Sequence, residues 1–241
     1  MIKSILLDIE GTTTPIDFVY EMLFPYARSH VWNYLAEHLS SPDVHTDVAG
    51  LLEENAADAR NRLDPPLLNG PVERISADEI VAYVHWLMDR DRKSTPLKSL
   101  QGKIWEEGYR TGQLRGQVFE DVPRAFSRWQ NRGKQICIYS SGSVLAQKLL
   151  FSNTEAGDLT TFIDGYFDTN IGSKKDATSY RAIADKLGRL PSEILFVSDV
   201  AAELDAAATA GFEVVLCSRP GNEPPTAPQN YTAIQTFDEL A

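Results

Sequence analysis

The chain has 241 residues and a formal net charge of -11, with 43% of its residues hydrophobic and 24% charged. That length suits one compact domain with a large insertion, or two small domains sharing a seam, and it can bury a core without a metal or disulfide. The acidic balance argues against nucleic acid or an anionic membrane as partners, since both would be repelled; an anionic substrate would need local positive charge from a cation and a lysine.

No apolar stretch is long enough to span a bilayer. Met1-Ile2-Lys3-Ser4 runs straight into a short apolar strand rather than a secretory leader, so a cytoplasmic location is expected. Cys137 and Cys217 sit far apart in apolar runs and read as two buried thiols in a reducing compartment.

In chain order, Ile5-Leu6-Leu7 predicts a buried strand that stops in the polar turn beginning at Gly11. From about Phe18 to Gly116 the pattern is helical. Tyr26, Val31, Tyr34, Leu35 and Leu39 fall mostly on one helical face. Ser76 and Glu79 form a capping-box pattern ahead of Ile80, Val81, Val84, Leu87 and Met88. Thr95-Pro96 reads as an N-cap followed by proline at the first helical position. Pro65-Pro66 and Asn69-Gly70-Pro71 break the helices apart.

From Asp121 onward strands and helices alternate. A helix to Gln130, stopped by Gly133, leads into a strand from Gln135 to Tyr139. Next come a helix from Ser143, a strand from Phe162 to Phe167, and a helix from Thr178 to Leu187 ended by Gly188. A strand over Ile194 to Val197, a helix over Ala201 to Ala210 and a strand over Val214 to Cys217 follow. The proline-rich tail after Gly221 reads as a surface loop. This alternation predicts an α/β fold, a doubly wound parallel sheet covered on both faces and split after its first strand by a helical insertion.

Open α/β sheets bind ligands at the carboxyl ends of their strands. Four such ends carry reactive side chains here. Asp8 and Glu10 can face one pocket, one carboxylate as nucleophile and the other as proton shuttle, with Gly11 letting the backbone turn sharply. A lone Asp-x-Glu would more simply be a solvated acidic turn. Ser140 and Ser141, ahead of a helix starting near Ser143, offer hydroxyls and free amides to an anion, although a plain serine cap explains them equally well. Lys174 or Lys175 can neutralise a phosphate and a carboxylate nucleophile, the other being a solvated basic turn. Asp199 can hold Mg²⁺ together with Asp8, cap the next helix, or do both. Glu203 is open between support of the site and the first turn of that helix, and Asp205 reads as surface.

That ordered set, carboxylate pair, hydroxyl, lysine, carboxylate, resembles the haloacid-dehalogenase superfamily, whose members are mostly phosphatases, and the helical insertion resembles its cap. Asp8-Ile9-Glu10-Gly11-Thr12-Thr13-Thr14-Pro15-Ile16, Leu23-Phe24-Pro25-Tyr26, Ile138-Tyr139-Ser140-Ser141-Gly142-Ser143 and Phe167-Asp168-Thr169 are more closely similar to the acireductone synthase family, the enolase-phosphatases of methionine salvage. The likeness runs from the first strand to Arg219-Pro220-Gly221 and is weakest in the middle of the insertion.

The resemblance implies an α/β core over residues 1-17 and 117-241 with a helical cap over 18-116, hinged near Asp17 and Gly116. It implies a phosphorylated diketone substrate, 2,3-diketo-5-methylthiopentyl 1-phosphate, which is enolised and then hydrolysed through an aspartyl phosphate. It implies one Mg²⁺ held by Asp8, Glu10 and Asp199, catalytic roles for Asp8, Glu10 and Lys174, substrate contacts from Ser140, Ser141 and Lys174, and a monomer. The family's lysine aligns with Lys174 rather than Lys175. Ser173 stands where many relatives have histidine, so that position has no imidazole. Glu10 and Lys174 both remain candidates for the enolisation base.

The rival readings are a phosphatase of the same superfamily acting on another small phosphate ester, a hydrolytic dehalogenase, and an inactive scaffold. The histidines His30, His38, His45 and His85 lack metal-ligand spacing and are expected at the surface or core edge without a carboxylate cluster. Trp32, Trp86, Trp105 and Trp129 are expected to pack in cores. Phe18, Val19 and Tyr20 are the simplest guesses for contacts to the methylthio tail.

Overall fold

The computed structural model describes residues 1–222 and 231–240. They form two compact units, one of residues 21–114 and one of residues 1–20 with 115–241.

The first of these is helical. It contains α1 (Phe24–His38), α2 (Pro42–Arg60), α3 (Ala77–Met88) and α4 (Thr95–Arg110). Ala27, Val31 and Leu35 are the buried face of α1, while Tyr34 and Leu39 are only half-buried. The capping box forms at α3: the Ser76 Oγ accepts from the Glu79 amide at 3.3 Å, and the Ser76 amide donates to Glu79 at 2.9 Å. At α4 the cap is Ser94 rather than Thr95; its hydroxyl accepts from the Leu97 amide at 3.2 Å, and Thr95 is already helical. Either hydroxyl could have satisfied an orphan amide, and the extended backbone at Ser94 decides it. Asp58 of α2 is a buried polar pin, accepting from the Tyr83 hydroxyl at 2.8 Å and Arg92 at 2.9 Å. Trp86 and Trp105 are buried as expected, but Trp32 is 47% exposed and donates to Asp78 at 2.8 Å. The helical period alone did not say on which side of the buried face it falls.

The other unit is built on β1 (Ser4–Leu7), β2 (Gln135–Tyr139), β3 (Gly165–Phe167), β4 (Ile194–Ser198), β5 (Glu213–Cys217) and β6 (Ala233–Ile234). They form one sheet in the order β3-β2-β1-β4-β5-β6, with every pairing parallel. The connecting helices are α5 (Asp121–Asn131), α6 (Val144–Ser152), α7 (Ala177–Leu187) and α8 (Ala201–Thr209). All four residues of β1 are buried, as a strand covered on both faces requires. Leu6, Cys137, Tyr139, Phe196 and Leu216 pack with Tyr180, Ile183 and Leu204 from α7 and α8. Phe126 and Trp129 of α5 cluster with Phe151 and Phe237 at centroid distances of 5.3–6.2 Å.

Two expectations change. The third strand starts only at Gly165, and Phe162 lies in the short turn Thr160–Phe162 before it. Residues 223–230 of the expected tail loop lie outside the described residues. Beyond them Ala233–Ile234 adds a sixth strand beside β5, and Phe237 is fully buried. Two strand residues are too few for a period-2 pattern to register. Cys137 and Cys217 are both free and buried, and burial pushes each thiol up to about 12.

Candidate active site

β1 lies between β2 and β4, where the winding of the sheet reverses direction. A parallel sheet opens a crevice at that point, beyond the carboxyl ends of its strands. The register sets Leu7 beside Ile138 and Val197. The residues that leave these strands, Asp8, Ser140 and Asp199, are thereby brought to one edge, with Lys174 supplied by the loop between β3 and α7.

Asp8 is 2% exposed. Its Oδ1 accepts from the Ile9 amide at 2.7 Å and from Lys174 Nζ at 2.5 Å, and its Oδ2 accepts from the Ser198 hydroxyl at 3.2 Å. Lys174 is buried as well, with Nζ also 2.6 Å from Glu203 Oε2, and the Ser198 hydroxyl lies 3.1 Å from that same Glu203 oxygen. Ser198 therefore sits between the two carboxylates that grip the lysine. Two core tyrosines brace the lysine loop: Tyr180 donates to the Lys174 carbonyl at 2.7 Å and Tyr139 to the Gly172 carbonyl at 3.0 Å. Lys175 is exposed.

Burial alone would lower the Lys174 ammonium, but the charges of Asp8, Glu203 and Glu10 outweigh it and raise it. Lys174 is held protonated. The acids pay in the opposite direction. Burial first, and the Asp8 charge second, raise Glu10, push Asp199 up to about 7 and push Glu203 up to about 8. Four acids share one lysine, so ionising all of them would leave negative charge that the pocket's own residues do not neutralise. That imbalance, with an all-oxygen donor set, fits a hard divalent cation. Asp8, Glu10 and Asp199 do not bring three side-chain oxygens within 4.8 Å of one another. A Mg²⁺ ion, which keeps several waters, does not require that they do.

Glu10 is half-buried, and Ser140 Oγ lies 3.5 Å from its Oε2. Ser140 is buried, and its Oγ accepts from the Gly142 amide at 3.0 Å, whereas Ser141 is exposed. Ser143 caps α6, accepting from the Ala146 amide at 3.2 Å. The amides expected to be free at this helix start are partly used: Gly142 is spent on Ser140, and Val144 donates to Asp168 at 3.3 Å. Gln147 secures the loop from behind, donating to the carbonyls of Gly142 and Phe167 at 2.9 and 2.8 Å.

Asp199 does not cap α8. The cap position is Val200, without a side-chain hydrogen bond. Asp199 instead lies against Gly11, whose φ is +70°; a Cβ there would stand 2.2 Å from Asp199 Oδ2. Only glycine allows this approach. Glu203, left open by the sequence, is buried against Lys174, and Asp205 is exposed and accepts from the Tyr231 hydroxyl. Phe18 and Val19 are buried, while Tyr20 is 64% exposed.

Two residues at the site escaped the sequence reading. Arg219, 3% exposed, donates to the Thr12 carbonyl at 3.0 Å and to both oxygens of Asp121. Asn222 donates to the Gly11 carbonyl at 2.9 Å and lies 3.5 Å from Asp199 Oδ2. Both follow β5 in a stretch whose only local signal was a turn. The histidine expectation also needs correction. His38 Nε2 lies 3.4 Å from Glu107, and with Glu37 these side chains form a close trio in the helical unit. Glu107 comes from α4, so sequence spacing around His38 could not show it.

A model of haloacid dehalogenase-like hydrolases matches residues 2–211. The "Enolase-phosphatase E1" of Synechococcus elongatus is 54% identical over 239 residues, covering 99% of this chain and 98% of that protein. A "Probable bifunctional methylthioribulose-1-phosphate dehydratase/enolase-phosphatase E1" of Physcomitrium patens is 46% identical, over 98% of this chain and 47% of its own. The crystal structure of the UTR4 protein of Saccharomyces cerevisiae superposes with a TM-score of 0.79 at 36% identity, covering all of both chains. With its parallel sheet and its match over nearly the whole length of the Synechococcus protein, the chain belongs to the enolase-phosphatase E1 family of the haloacid dehalogenase-like hydrolases.

Proposed function

We propose that this chain enolises and dephosphorylates its substrate at the one strand-end pocket, with Asp8 as the nucleophile toward phosphorus. The activity is that of an acireductone synthase: 2,3-diketo-5-methylthiopentyl 1-phosphate is converted to 1,2-dihydroxy-3-keto-5-methylthiopentene and phosphate in methionine salvage. The observation that carries the assignment of roles is the buried contact between Asp8 Oδ1 and Lys174 Nζ at 2.5 Å, beside Glu10. A carboxylate gripped this way has a fixed direction of attack, and the lysine offsets charge on the phosphoryl oxygens.

The order of events follows from the proton balance. Lys174 is held cationic by three carboxylates and is a poor base. Of the two candidate enolisation bases, this leaves Glu10. Having accepted a proton from the carbon beside the carbonyl, Glu10 is in the form needed to protonate the leaving oxygen while Asp8 attacks phosphorus, and the enolate oxygen takes its proton from solvent water. Burial first, and the Asp8 charge second, raise its pKa, which favours its holding a proton. As a carboxylate again, it activates the water that cleaves the aspartyl phosphate. Ser140 and Ser141 contact the phosphate or the diol. Asp8, Asp199 and an oxygen of Glu10 would hold one Mg²⁺, which when bound supplies positive charge to the phosphoryl oxygens.

The helical unit, residues 21–114, acts as the cap. We place the protein in the cytoplasm as a monomer; among the described residues no helix is long and apolar enough to cross a membrane. The deciding experiment is product identification with the diketone phosphate, with and without Mg²⁺. Acireductone and phosphate in equal amounts are expected. Hydrolysis of other small phosphate esters with no turnover of the diketone would favour the broader phosphatase reading instead.

A further inference from the structure

We infer that Asn222 and Arg219 are positioning residues that fix the turn behind Glu10 and so aim its carboxyl at the leaving oxygen. The inference rests on the reading of Glu10 as the proton donor.

Three successive carbonyls of the turn are each held from outside it. Gly11 accepts from Asn222 Nδ2 at 2.9 Å, Thr12 from Arg219 Nε at 3.0 Å, and Thr13 from the Phe119 amide at 3.0 Å. The fourth, Thr14, accepts from the Gly11 amide at 2.8 Å and closes the turn. Of the turn's own side chains, Thr13 donates to the Asp8 and Ile9 carbonyls at 3.1 and 3.3 Å, while the hydroxyls of Thr12 and Thr14 are buried without a partner. The Glu10 carboxyl is held by its own backbone amide and, at 3.5 Å, by Ser140 Oγ. The place of its carboxyl therefore depends on the backbone that follows it.

Asn222 is the more informative of the two. Its nearer neighbour, the Gly11 carbonyl, only accepts hydrogen bonds, so the amide nitrogen must face it. One side chain thus ties the nucleophile turn to the end of β4. Arg219 reinforces the same turn. Its Nη1 contacts both Asp121 oxygens at 2.8 and 2.9 Å and the Gln235 carbonyl at 3.1 Å. Its guanidinium carbon lies 4.3 Å and 4.5 Å from the ring centroids of Phe119 and Phe237. Burying an ion pair is a weak source of stability compared with apolar packing, whereas a rigid planar donor is well suited to holding a carbonyl in place.

The test compares wild type, Asn222→Leu, Arg219→Lys and Glu10→Gln on phosphate monoesters whose leaving groups run from alkyl alcohols to nitrophenol, with the diketone phosphate alongside. A proton donor matters for a poor leaving group and hardly at all for nitrophenolate. Asn222→Leu is expected to lower kcat on alkyl esters and on the diketone by about 10- to 100-fold with KM nearly unchanged, the scale of a misplacement near 1 Å. On nitrophenyl phosphate the loss should shrink to about 3-fold or less. Glu10→Gln should show the same slope more steeply. Arg219→Lys should fall between wild type and Asn222→Leu; if it does not fold, Asn222→Leu decides. An equal loss on all esters, a change confined to KM, or no loss with Asn222→Leu overturns the inference while the Glu10 reading stands. A flat profile for Glu10→Gln overturns the reading itself, and the inference with it.

Discussion

Raising the pH from 5 to 8 without divalent ions should destabilise the chain through Asp199. Burial, and then the charge of Asp8, move this carboxyl from the ordinary aspartate value of 3.8 to about 7. A group whose folded pKa is raised binds its proton more tightly when folded. Its contribution is complete below the unfolded value and is lost as pH climbs through the folded one. Each tenfold fall in proton concentration between those limits removes about 1.4 kcal/mol, so pH 5 to 7 removes at most about 3 kcal/mol. Asp199 is partly exposed, and solvent screening reduces this to about 1–2 kcal/mol. The assay is denaturant unfolding of wild type and Asp199→Asn in EDTA at several pH values. The variant lacks the titration, so the difference between the two isolates it. Wild type should lose its advantage from pH 5 to 7, and Mg²⁺ at pH 8 should restore stability to wild type more than to the variant. A difference that stays flat from pH 5 to 8 would refute the account of Asp199.

Asp8→Asn should abolish phosphate release while thermal unfolding stays cooperative; retained turnover would remove Asp8 as nucleophile. Lys174→Met should lose about 3–5 kcal/mol, because its Nζ lies 2.5 and 2.6 Å from Asp8 and Glu203, which would be left buried and unpaired. Its kcat should fall about 100-fold or more, and an unfolding midpoint equal to wild type would count against the ion-pair argument. Gly11→Ala places a Cβ 2.2 Å from Asp199 Oδ2 at a φ of +70°. It should cost about 1–3 kcal/mol and weaken Mg²⁺ binding by calorimetry, with wild-type affinity the contrary result. Glu10→Asp shortens the proton shuttle by one methylene, and enolisation and phosphate release followed separately should both slow; two unchanged rates would show that the extra reach of glutamate is not used.

Much of the core was legible because each strand is a short apolar run stopped by polar residues, and burial on both faces of a parallel sheet demands that pattern. Gln135 to Tyr139 reads off to the residue. Asp8, Ser140, Lys174 and Asp199 were legible for the same reason: each follows, or lies a few residues beyond, such a run. What the sequence by itself determined was therefore which residues stand at strand ends. The sixth strand was not legible, since Ala233–Ile234 is shorter than one period. Nor was the choice of Ser94 over Thr95 as a cap, because both hydroxyls can accept and backbone geometry selects between them.

Only the tertiary structure decided what surrounds those strand ends. The sheet order puts β1 between β2 and β4 and so brings Asp8 and Asp199 to one crevice. Glu203 turned out to grip Lys174, although its place in the first turn of α8 suited solvent equally well. Asn222 and Arg219, more than 200 residues from the turn they hold, carry no local pattern at all. Hydrogen bonds and charge act over a few ångströms in space, while periodicity acts along the chain. The charged neighbours that shift Asp199 are therefore fixed by folding, not by spacing.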